Sequence, residues 1–122
     1  MATVRDRWAE ADRLARRMTT DRRAVMATRQ AVADSLAAGM RVADMEAIQA
    51  RLQVRIRDQE RVLNRAEADQ LAVQTMQTVR TMARLGIDSS RVAGRVNQGL
   101  RDGYTRRDME RLNEVGRALA SE

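Results

Sequence analysis

No proline stands anywhere in this chain, so only glycine, capping side chains and short polar clusters can end a helix once it has begun. Alanine is the commonest apolar residue, and neither apolar-polar alternation nor turn-rich clustering marks a strand. The expectation is an all-α chain, helical almost from end to end.

Glycine then decides where the chain turns. Gly39 is followed by Met40, Arg41, Asp44 and Met45, in positions suited to a left-handed stop, a staple residue, a cap, an N3 acid and the staple's partner. The same grammar returns 64 positions later. Val32, Leu36, Gly39, Asp44, Met45 and Glu46 recur as Val96, Leu100, Gly103, Asp108, Met109 and Glu110, with Ile48 and Leu112 extending the match. In the second copy Tyr104 staples to Met109 and Thr105 caps. A third corner uses other letters: Gly86 as the stop, Ile87 as the staple residue against Val92, and Asp88 as the cap.

Three corners imply four helices, near 4–38, 42–85, 89–102 and 106–120, the first opened by a capping box at Thr3-Val4-Arg5-Asp6. The second would be about 66 Å long at 1.5 Å per residue. Thr19-Thr20-Asp21 and Asn64-Arg65-Ala66-Glu67 are the places where the two long helices could break. The expected architecture is a long antiparallel helical hairpin or coiled coil followed by a shorter helical hairpin. It forms a single all-helical domain over 1–122, with an internal helix-corner-helix repeat near 25–60 and 89–120.

Leu, Ile and Val number only 23 in 122 residues. Each stabilises by roughly 1.5–3 kcal/mol when buried, against about 1–2 kcal/mol to order each residue of the chain. So sparse a core predicts help from partner chains. A heptad-like seam through Trp8, Met18, Val25, Val32 and Leu36, continued by Ile48, Leu52, Ile56 and Leu63, supplies the apolar knobs for such contacts. The remaining methionines suit adaptable packing.

All 23 basic residues are arginine, and the net charge is +6. Coding bias toward GC-rich codons accounts for arginine in place of lysine; a bidentate grip on phosphates or carboxylates is the functional alternative. Residues 13–29 are the most basic stretch, and Arg51, Arg55, Arg57, Arg61 and Arg65 form a second stripe. Acids placed to pair at i,i+4, such as Asp12 with Arg16 and Arg65 with Asp69, favour a solvated helix flank over a nucleic-acid track.

The missing residues exclude chemistry. Without cysteine there is no thiol nucleophile, disulfide or zinc-thiolate site, and without histidine no side chain titrates ordinarily near neutrality. Asp44 with Glu46 and Asp108 with Glu110 stand at i,i+2 and point to different sides of a helix, so they share a proton or metal poorly. No enzyme activity, cofactor or metal is expected. The corners also match helix-turn-helix spacing, with Thr105, Arg106 and Arg107 at a helix start as possible phosphate contacts, although any compact corner has this spacing and the helix after Gly39 reads as too long.

The longest uncharged run, near 70–79, is too short and polar to span a bilayer, and Arg5, Asp6 and Arg7 rule out a hydrophobic leader here; a leader removed from a precursor is not excluded. The sequence thus points to a non-enzymatic assembly or adaptor protein in the cytoplasm, or in a virion or secretion assembly. It would pair with itself or with another helical protein, and a nucleic-acid-binding helical protein is the alternative.

Overall fold

The computed structural model of the chain describes residues 4–57 and 64–101. These form five α-helices and, among the described residues, no strand: α1 (Val4–Met18), α2 (Arg22–Ala37), α3 (Val42–Arg57), α4 (Arg65–Arg84) and α5 (Ser89–Arg101). None of them is long and apolar enough to cross a membrane. Thr3, Leu63 and the repeat's second corner and helix, from Gly103 onward, lie outside the described residues.

Both long helices are divided. The first breaks at Thr19-Thr20-Asp21, where Asp21 adopts an extended backbone and its carboxylate accepts the Arg23 and Ala24 amides, capping α2. A buried acid from far along the chain locks the break: Asp69 of α4 accepts the Thr20 amide on Oδ1 and the Asp21 amide on Oδ2, each at 3.1 Å. The expected 66 Å helix is likewise divided, because Asn64 caps α4 and forms a reciprocal capping box with Glu67.

The glycine corners form as Schellman turns. At Gly39 (φ +116°) the Met40 amide reaches back to the Ser35 carbonyl; at Gly86 (φ +82°) the Ile87 amide reaches the Met82 carbonyl. Asp88 accepts the Ser90 amide at the start of α5, as its capping position predicts.

Breaking the rods changes which segments meet. The main packing contacts run α1 to α2, α2 to α4, α4 to α5, α5 to α3 and α3 back to α1, closing a ring in place of a long hairpin with a short one attached. Asp69 near the start of α4 touches the start of α2, while Arg80 and Arg84 near its end reach Asp34 near the end of α2. These two helices therefore lie parallel.

The interior contradicts the expectation that a core so poor in branched aliphatics needs another chain to close it. Leu14, Met45, Ile48, Leu52, Met76, Val79, Val92 and Leu100 are fully or almost fully buried within this one chain. Alanines such as Ala11, Ala31 and Ala72 let the helices approach closely, and methionines fill what remains. Two buried hydroxyls bond inside their own helices: Ser35 donates to the Ala31 carbonyl and Thr75 to that of Leu71, both at 2.7 Å.

Candidate protein-contact face

Of the nine residues expected to serve as intermolecular knobs, five point inward. Met18, Val32, Leu36, Ile48 and Leu52 belong to the core, and Ile56 packs partly buried against it. The reason is the break at 19–21: once the rod folds back on itself, each seam finds a partner in the same chain. Val25 stays half-buried and Trp8 is 41% exposed. Met26, expected to be a packing residue, is instead 53% exposed, so the two most exposed large apolar side chains among the described residues stand on α1 and α2, with Val42 and Leu85 less exposed elsewhere.

Helical spacing builds this face. Trp8, Asp12 and Arg16 are four apart and line one side of α1, opposite Arg29, Val25 and Arg22 of α2. The Arg29 guanidinium carbon stands 4.8 Å from the centroid of the Trp8 ring, and its Nη1 donates to Oδ1 of Asp12 at 2.9 Å. The other Asp12 oxygen accepts from Nε of Arg16, also at 2.9 Å. Hydrogen bonds from Arg16 and then Arg29 hold the Asp12 carboxyl below its ordinary value. The ring is thus braced by a cation that is itself anchored, which limits the motion of the chain's single tryptophan. Beside it a cleft of about 410 Å³ is lined by Arg16, Thr20, Arg22, Val25, Met26 and Arg29.

Two further charge clusters tie helices together. Arg13 of α1 pairs with Glu10 and with Glu46 of α3, and Asp34 of α2 takes Arg80 and Arg84 of α4. The expected pair of Arg65 with Asp69 does not form, because Asp69 turns inward to the corner at Thr20. Asp69 escapes sequence inspection: an acid at a helical i+4 position looks like a surface partner, and only its burial against the corner at Thr20 and Asp21 betrays it.

Asp44 and Glu46 diverge as their i,i+2 spacing requires, the first toward Ser89 and Arg41, the second toward Arg13. The helix after Gly39 is 16 residues long, which removes length as an objection to a helix-turn-helix reading. The exposed positions of its N-terminal part, however, are Val42, Ala43, Glu46, Ala47 and Ala50, one acid among apolar side chains and a poor surface for base edges, with Arg57 exposed only at its far end. Thr105, Arg106 and Arg107 lie outside the described residues.

No family model matches this chain, and neither the curated proteins nor the solved structures with which it was compared contain a match.

Proposed function

We propose that this chain is a non-enzymatic helical adaptor or assembly protein that binds another protein, or a second copy of itself, through the face formed by Trp8, Val25 and Met26. The observation that carries the reading is the braced, part-exposed Trp8. Tryptophan is enriched among residues that dominate binding energy, and a ring held by Arg29 loses little further freedom when it docks. Exposed Met26 supplies an adaptable surface beside it. The lack of histidine and cysteine, with Asp12, Asp34, Asp44 and Asp69 tied into structural bonds, supports a role without catalysis. The setting is aqueous: the cytoplasm, or an assembly such as a virion or secretion apparatus.

Photo-crosslinking tests this. Benzoylphenylalanine at position 26, in the cells that make the protein, should give one dominant adduct that disappears with Trp8→Ala, while the same probe at exposed position 37 gives none. Equal adducts from both positions, or an adduct indifferent to Trp8→Ala, would count against the face. Nucleic-acid binding through the arginine stripes has less support, since Arg13, Arg16 and Arg29 of the first stripe are already matched by carboxylates.

A further inference from the structure

The parallel packing of α2 on α4 brings their N-terminal ends side by side, and between them runs an open groove of about 750 Å³. Arg22, Arg23 and Arg65 stand on its rims, exposed, and none of the three has an ion pair among the described residues. Ala24, Ala27, Ala66 and Val73 line it with small apolar surface.

Two carboxylates also border the groove, and both are held on backbone amides. Asp21 accepts from Arg23 and Ala24, and Asp69 from Thr20 and Asp21. Neither is paired with the guanidinium groups above it. The arginines, moreover, occupy first turns, where the helix dipole disfavours positive charge and an incoming anion is welcome.

We infer that this groove receives an acidic amphipathic helix from a partner protein. Its carboxylates would meet the three arginines in charge-assisted pairs, and its apolar stripe would lie on the alanines, whose small side chains permit close approach. A polynucleotide suits the groove less well, because the apolar lining of Ala24, Ala27, Ala66 and Val73 offers no donor to a continuous run of phosphates. The inference rests on the protein-binding reading above and adds the chemistry of the partner, on a second surface that shares Arg22 and Thr20 with the cleft at Val25 and Met26.

Fluorescence anisotropy with the full chain provides the test. The probe is a labelled synthetic helix of about five turns with glutamates flanking an alanine-leucine stripe. Its glutamine counterpart and a labelled short DNA duplex serve as comparisons. Combining Arg22→Gln, Arg23→Gln and Arg65→Gln should weaken binding of the acidic helix by roughly tenfold or more, while Arg91→Gln with Arg95→Gln changes it by less than about twofold. Ala27→Glu, which adds a carboxylate to the groove and leaves the arginines in place, should weaken it as well. Trp8→Ala should not affect it, which separates this groove from the crosslinking face. Equal loss from both arginine sets, indifference to Ala27→Glu, no binding at low salt, or tighter arginine-dependent binding of the duplex would each overturn the assignment.

Discussion

The Ser89 hydroxyl donates to Oδ2 of Asp44 at 2.6 Å and accepts the Arg41 amide at 2.9 Å, fastening the start of α5 to the start of α3. One buried side chain therefore serves both glycine corners, since Arg41 follows the Gly39 turn and Ser89 follows the Gly86 turn. Ser89→Ala removes both bonds, leaving the Arg41 amide without its acceptor and Asp44 Oδ2 with only the Arg41 guanidinium. The expected loss is about 1–3 kcal/mol in urea unfolding with an unchanged m-value. Stability within a few tenths of wild type would mean that water replaces the hydroxyl at no cost.

Asp69 does the equivalent work for the first corner. Asp69→Asn retains an acceptor for one of the two amides but loses the charge, and should cost roughly 1.5–3 kcal/mol; Asp69→Ala should cost more. Hydrogen exchange at the Thr20 and Asp21 amides should accelerate in both variants. Unchanged exchange there would place the strength of the corner elsewhere.

The cluster around Asp12 makes part of the stability depend on acid. Arg16 and Arg29 hold the folded-state carboxyl below its ordinary 3.8. Its contribution is therefore complete above that value and is lost as pH falls through the lower, folded-state one. The stability gap between wild type and Asp12→Asn should stay constant from pH 7 to about 5 and close on further acidification. A gap that widens in acid would contradict the assigned direction.

Core and face should separate cleanly under mutation. Leu52→Ala, at a fully buried site, is expected to destabilise by about 2–5 kcal/mol, whereas Met26→Ala should stay within about 0.5 kcal/mol. Paired urea titrations measure both. Comparable losses would show that Met26 packs within its own chain.

The turns of this molecule were readable from the chain because they depend on local chemistry. Gly39, Gly86, Asp88 and Asn64 each satisfy backbone groups within a few residues, and Thr19-Thr20-Asp21 carries its own capping acid. What a helix packs against is not local. Ile48 and Leu52 show the same apolar spacing whether they meet another chain or the interior of this one, and a break of three residues at 19–21 decides between them. Asp69 makes the same point, since its partners lie 48 and 49 residues away. Trp8 was among the expected contact residues and Met26 was not, because exposure at one position on a helix depends on neighbours that the pattern does not identify.

Both corners of the N-terminal half are fastened by the C-terminal half: Asp69 secures the turn at Thr20, and Ser89 secures the start of α3. A nascent chain emerging from its N-terminus meets these requirements late. The first three helices can coil and pair as they appear, through Asp12 with Arg29 and Arg13 with Glu46, but the turns at Thr20 and Arg41 lack their fastening until α4 and α5 arrive, and closing such long loops delays the reward for forming them. Assembly is in this sense retroactive, with the earliest-made turns secured last.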